Sequence, residues 1–416
     1  MWTEGSVPSV HLRSLPLLGF QKQITLVSAS DSPARARVTT PPGWGSLGHP
    51  AAGRGLPPAG DLPAKGGRHA EQTMSTTSDQ LDGSDVPFVS SGRLPERARI
   101  TALMQRAHAR YRQVNDGAVS PVYPALARAD AALFGICVVP VDDAAIVVGD
   151  AEVPFTLMSV AKPFTFALLL AHLGPEQARQ RIGTNATGLS FNSLTAVERS
   201  VDGRTNPMVN PGAIATVSLL PGDGERKWEH LAAGLAGFAG RELQVDEEVY
   251  ECASRTNLVN RAATQLLEAR GLLGCEPALA LDLYTRQSCL RVTARDLATM
   301  GATLANGGVN PVTGERVIAD ELCHHVLAVM VTAGLYETSG DWLYQVGQPG
   351  KSGIGGGLVT ISPGKGGLGT FSPALDEAGN SVRGALVARD LSRALGLDLL
   401  GSHPRATRHR PTGSDS

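Results

Sequence analysis

Segments that read as β-strand lie towards both ends of this chain, and residues 163–345 between them read mainly as helix. A sheet built from such a chain must close around a long helical insertion, which confines the fold to the α+β class. The first strand signal is the apolar, β-branched run 132–141 with its partner 145–149, turned at Asp142-Asp143. The last is a hairpin over 356–362 and 367–372. Apolar residues at helical spacing fill 228–239, 261–270, 294–305 and 320–332, and Gly307-Gly308 ends one of these helices. A helix over 94–114 opens the folded region, and an amphipathic helix over 380–395 closes it. The expected organisation is a sheet unit, about 96–160 with 345–400, and a helical unit, about 161–344; a cleft between them is the natural place for a site. Residues 1–95 are rich in Pro, Gly, Ser and Arg with no sustained period, which predicts a disordered extension. Residues 401–416 predict a tail. Met1 is followed by Glu4 and no long apolar core, a poor fit to a signal peptide, and Met74 in Met-Ser-Thr-Thr-Ser is the expected start of translation.

At the entry to the helical insertion stands Phe-Thr-Leu-Met-Ser-Val-Ala-Lys-Pro-Phe, 155–164. Its Ser159-x-x-Lys162 places a hydroxyl and an amine on one face of a helix. Serine needs a neighbouring base to become a nucleophile, and a buried lysine with a lowered pKa can be that base. Taken alone, the four residues also read as a helix-capping Ser beside a solvated Lys. The apolar flanks, Val153, Phe155 and Leu157 before and Phe164, Phe166 and Leu168 after, argue against a wet lysine. Far downstream, Lys351-Ser352-Gly353 precedes Ile354-Gly355-Gly356-Gly357 and an apolar run, a Gly-rich turn feeding a strand. Ser-x-x-Lys followed by Lys-Ser/Thr-Gly is the order found in serine acyl-transfer enzymes.

A formal charge of −2 gives no general electrostatic case for nucleic acid or a membrane surface. The apolar run 164–171 is far too short to span a bilayer. The five cysteines are scattered without Cys-x-x-Cys, as expected for reduced thiols in a cytoplasmic protein. No His-Glu-x-x-His occurs, and the adjacent His324 and His325 leave a helix in different directions, so no metal site is expected.

Between the two lysine motifs lie further polar clusters: Asn192 in Gly-Leu-Ser-Phe-Asn, Asn206-Pro-Met-Val-Asn210-Pro, Asn260 before Arg261, Tyr284 in Asp-Leu-Tyr-Thr, and Tyr336 in Gly-Leu-Tyr-Glu-Thr-Ser-Gly. Singly, each reads as a cap, a turn or a core tyrosine with its hydroxyl satisfied. Together with Met-Gly-Ala-Thr-Leu-Ala-Asn-Gly-Gly (300–308) and Pro-Val-Thr-Gly-Glu-Arg-Val (311–317), and in this order, they make the chain from about 117 to 398 resemble the serine-dependent glutaminases. The resemblance implies a β-lactamase-like fold, with an antiparallel sheet, flanking helices and a mainly helical domain. It implies hydrolysis of L-glutamine to L-glutamate and ammonia without metal or organic cofactor, by a homo-oligomer, dimer or tetramer. Ser159 would attack the side-chain amide, Lys162 would take its proton, and Tyr336 would relay a proton to the leaving ammonia. The amides of Ser159 and Ile354 would form the oxyanion hole. Asn192, Asn260 and Tyr284, with Ser159, Tyr336 and Ile354, would hold the substrate, and Lys351 would support. Three positions depart from the family's pattern. Val122 stands where a Tyr is usual, with Tyr123 shifted by one; Ala253 replaces a Glu that binds the substrate ammonium, with Glu251 nearby; Pro211 replaces an Ala. The first two leave room for a related amidase with another substrate end, or for a glutamine-binding protein without useful turnover. A β-lactamase or penicillin-binding enzyme leaves the glutaminase stretches unexplained.

Overall fold

The strand segments from the two ends meet in one antiparallel sheet. The computed structural model describes residues 93–401; the expected disordered extension with its Met74 start, and the expected tail, lie outside the described residues apart from their innermost positions. Among the described residues seven strands occur in chain order: β1 (Gly135–Pro140), β2 (Ile146–Gly149), β3 (Phe155–Thr156), β4 (Arg291–Val292), β5 (Gly350–Ser352), β6 (Gly357–Ser362) and β7 (Gly366–Phe371). Five of them form a sheet in the order β2-β1-β7-β6-β5. The pairing that closes the helical insertion is β1 with β7, in a register that sets Gly135 opposite Phe371 and Pro140 opposite Gly366.

Two-residue alternation splits the apolar side chains of this sheet between two cores. On β1, Ile136 and Val138 face a core shared with the helices Arg97–Tyr111 and Val382–Ala394, and Leu358 and Leu368 join it from β6 and β7. Cys137 and Val139, with Val359, Ile361 and Phe371, face the larger core, which runs on into the helical insertion. Helix Ala294–Ala305 lies backbone to backbone on β7. A Cβ at Gly367 would stand 2.2 Å from the Ala298 carbonyl oxygen, and one at Gly369 would stand 2.2 Å from that of Ala294. Only glycine permits that approach. The same helix is started by a reciprocal Thr293–Asp296 capping box, and Asp296 also receives Arg241 in a bidentate pair at 2.8 and 2.6 Å.

The opening helix covers Arg97–Tyr111, shorter than 94–114, because Pro95 disfavours helical backbone at Leu94. The small ladder of β3 with β4 lies partly inside the run read as helical. Strands of two residues carry no periodicity, so only their tertiary pairing defines them.

Candidate active site

Strand β3 ends beside the sheet, and the backbone then turns through a short 3-10 segment, Met158–Val160, into helix Ala161–Leu173. The turn is anchored by the Leu157 amide donating to the Leu290 carbonyl at 2.8 Å. Met158 has φ 48° and Tyr336 φ 59°, the only non-glycine residues among those described with positive φ. Such backbone costs of order 1–3 kcal/mol per residue and persists where packing over-determines it. Met158 is held by Val249, Ala253 and Cys289. The two strained residues bracket the same spot, since Ser159 follows Met158 and its hydroxyl stands near enough to the Tyr336 phenol to act on its pKa.

Lys162 lies in the first turn of helix Ala161–Leu173 and is 2% exposed. Its Nζ donates to Asn210 Oδ1 at 2.7 Å, and no carboxylate among the described residues pairs with it. Burial disfavours the ammonium form and lowers its pKa to about 7. Asn210 is the hub of the site. Its Oδ1 also accepts from the Tyr284 hydroxyl at 2.9 Å, and its Nδ2 donates to Asn260 Oδ1 at 2.8 Å. One amide side chain therefore ties three helices, Asn210–Ser218, Leu258–Ala269 and Pro277–Ser288, to the amine of Lys162. Asn210 was not among the site residues expected from sequence, although the cluster Asn206-Pro-Met-Val-Asn210 contains it. The available signal was an Asn buried among apolar residues, which needs partners for both ends of its amide.

Lys351 on β5 is fully buried, with Nζ 3.9 Å from the Tyr336 ring centroid and donating to the Ser352 carbonyl at 2.7 Å. Burial, and then the nearby Lys162 amine, hold its pKa well below the ordinary lysine value. Burial raises the pKa of Tyr336, partly offset by the Ser159 hydroxyl, and burial, then the neighbouring Tyr336, raises that of Tyr284. Both phenols therefore keep their protons at neutral pH. Tyr336 is fastened from below by Ser339, whose hydroxyl donates to the Tyr336 carbonyl at 2.8 Å and accepts from the Leu335 amide at 3.1 Å. Ser339→Ala should lower unfolding free energy by about 1–3 kcal/mol, because it leaves the buried Leu335 amide unpaired, while the Tyr336 carbonyl keeps the Ser339 backbone amide. Denaturant titration measures this, and an unchanged midpoint would rule the clamp out.

Two backbone amides belong to residues that border one cavity, those of Ser159 and Ile354. Among the described residues neither the Ser159 nor the Ile354 amide has an acceptor, although one sits in the 3-10 turn and the other between β5 and β6. Gly353 lets the turn lie close on the backbone at Ser159, since a Cβ there would lie 3.2 Å from the Ser159 nitrogen. Gly355 admits the turn, since a Cβ there would lie 2.5 Å from the Thr156 carbonyl oxygen. Paired free amides beside a nucleophile can receive a developing oxyanion.

A cavity of about 230 Å³ opens over this array. Ser159, Asn192, Asn260, Tyr284 and Ile354 all line it. Tyr336, expected among the substrate-contacting residues, is not in the wall: Phe191 lines the cavity and packs on the Tyr336 ring at 4.9 Å between centroids. Lys162 likewise lies behind the wall, reached through Asn210. Val122 and Tyr123 both line the cavity, as does Ala253. Glu251 does not; it lies on the exposed side of helix Glu247–Thr256, so it leaves the Ala253 position without a replacement carboxylate.

Comparison with known proteins agrees with this geometry. A family model described as Glutaminase matches residues 117–400. Glutaminase 2 of Yersinia pestis is 57% identical over 335 residues, covering 80% of this chain and 98% of that protein. The glutaminase of Mycobacterium ulcerans is 44% identical, covering 73% and 95% of the two chains. Among solved structures, the probable glutaminase ybaS superposes with a TM-score of 0.73 at 38% identity, covering 74% of this chain and all of that one. Mglu in its glutamate form gives 0.70 at 34% identity, covering 74% and 69%. The antiparallel sheet flanked by helices is thus the β-lactamase-like fold of these proteins. With a matching family model over most of its length and relatives matched almost end to end, this chain belongs to the glutaminase family.

Proposed function

We propose that this chain hydrolyses the side-chain amide of L-glutamine to L-glutamate and ammonia, with Ser159 as nucleophile and Lys162 as its base. The observation that carries the reading is the buried Lys162 amine, tuned to a pKa of about 7 and entering the same turn as Ser159. At neutral pH much of it is unprotonated and able to take the serine proton. Ser159 Oγ adds to the amide carbon, and the oxyanion is received by the amides of Ser159 and Ile354. The C–N bond then breaks, and ammonia leaves with a proton relayed by the Tyr336 phenol. Water attacks the acyl-serine with Lys162 again as base, releasing glutamate and restoring the hydroxyl. All steps use side-chain and backbone groups.

The cavity, at about 230 Å³, is below the roughly 300–1,000 Å³ of sites for drug-sized ligands, as suits an amino-acid side chain. Mglu, a relative in fold, has a glutamate form. The family resemblance carries with it a cytoplasmic homo-oligomer, dimer or tetramer, which sedimentation of the purified protein tests. The test of the activity is equimolar release of ammonia and glutamate from L-glutamine, followed against pH. Because Lys162 must be neutral to act, kcat/KM should rise about tenfold per pH unit up to about 7 and then level. Tyr336, whose pKa lies above its ordinary value of 10.0, adds no alkaline fall below that pH. A profile already flat from pH 5 to 8 would remove Lys162 as the base.

A further inference from the structure

We propose that the cavity prefers N-acylated L-glutamine, whose α-nitrogen is a neutral amide, over free L-glutamine. This inference rests on the reading of Ser159 as nucleophile and concerns the opposite end of the substrate. Among the described residues, none of those lining the cavity is Asp, Glu, Lys, Arg or His. The acids of the surrounding helices are directed elsewhere. Asp246 caps its own helix by accepting from the Val249 amide, Glu248 pairs with Arg128, Asp282 pairs with Arg286 at 2.8 Å, and Glu251 is exposed outside the wall. Where helix Glu247–Thr256 does border the cavity it presents Ala253, 2% exposed and packed with Met158 and Val249, which offers no charge.

The titratable groups that stand behind the wall are amines, not carboxylates. Lys162 is joined to the cavity through Asn210, and Lys351 lies against Tyr336, whose ring packs on Phe191 of the wall. Neither amine supplies the counter-charge that an α-ammonium needs, since both are cations or neutral bases. An ammonium moved here from water loses hydration without gaining a counter-charge, which is expensive. A secondary amide has only one N–H to satisfy, and the Asn, Ser and Thr oxygens of the wall can accept it. The mouth points the same way. Val122, Leu258 and Val259 line the cavity yet are 54%, 70% and 46% exposed. Free glutamine has no apolar group to cover them, whereas an acyl group on the α-nitrogen does. The reaction is the one written above, with the acyl group a spectator. The bond from Ser159 Oγ to the amide carbon forms, the C–N bond of that amide breaks, ammonia departs, and water returns the product as N-acyl-glutamate.

The experiment compares kcat/KM for ammonia release by the full-length protein from L-glutamine, N-acetyl-L-glutamine and N-butanoyl-L-glutamine. The expected result is a tenfold or greater preference for the N-acetyl substrate, rising with the longer acyl group. Leu258→Asp changes an exposed position, so the fold should tolerate it, and by placing a carboxylate at the mouth it should shift the ratio tenfold or more towards free glutamine. Turnover of free glutamine equal to or better than that of both acylated substrates overturns this inference and leaves the glutaminase reading standing. If the folded protein releases ammonia from none of the three, both fall. An acyl preference that Leu258→Asp leaves unmoved would overturn the assignment to this mouth.

Discussion

Ser159→Ala is expected to lower ammonia release from L-glutamine by about 10⁴-fold or more, since removal of a nucleophile leaves only binding and oxyanion stabilisation to act on the amide. The loss should appear in kcat, because cavity residues such as Asn260 and Tyr284 are untouched. The fold should survive. Ser159 is only partly buried, and the change removes one hydroxyl oxygen without altering the backbone of the turn. Steady-state kinetics beside a thermal melt separates the two effects. A folded mutant retaining a tenth of wild-type kcat would exclude Ser159 as nucleophile, whatever its place in the turn.

Lys162→Met should act in opposite directions on activity and stability. General-base catalysis contributes about 10²–10⁴-fold, so kcat should fall by at least that range, and the rise of activity through pH 7 should disappear with it. Methionine fits the space of the lysine stem without a group to desolvate. The stability effect has a definite sign. The folded-state pKa of about 7 lies below the ordinary 10.5, so between those values the unfolded protein holds a proton that the folded protein does not. Stability of the wild type therefore rises with pH across that window, by up to about 1.4 kcal/mol per unit from this one group, and is fully reduced below pH 7. Lys162→Met removes that slope and should be the more stable protein on the acid side, less the effect of leaving Asn210 and Tyr284 to share one fewer donor. Urea titrations of both proteins at pH 6 and pH 9 measure it. An equal pH slope in the two proteins would mean that Lys162 keeps an ordinary pKa in the fold.

Much of the architecture was legible in the sequence because it depends on local pattern. The apolar run 132–141, the hairpin over 356–362 and 367–372, and the helical spacing in 294–305 and 320–332 survive into the structure with boundaries moved by a few residues. The β3–β4 ladder did not show, because two residues have no period and their pairing joins positions 155 and 292. The site divides in the same way. Ser159, Asn260, Tyr284 and Ile354 could be placed from their motifs and do line the cavity, with Asn192 beside them. Asn210 escaped because its importance lies in its partners: Lys162, Asn260 and Tyr284 are separated from it by 48, 50 and 74 positions.

By itself the sequence determined which chemical groups this protein owns and the order in which they come: a hydroxyl and an amine three residues apart, a glycine-rich turn after Lys351, and strand segments at both ends of a helical insertion. Tertiary structure decided their state. Lys162 has a lowered pKa because the packed core removes water from it, and the Gly-rich turn lies close on the backbone around Ser159 because Gly353 and Gly355 carry no side chain. Tyr336 is buried with its ring packed on Phe191, and Glu251 is exposed on its helix while Ala253 is buried. Charge state and access depend on what surrounds a group in three dimensions, and those surroundings are assembled from residues far apart in the sequence.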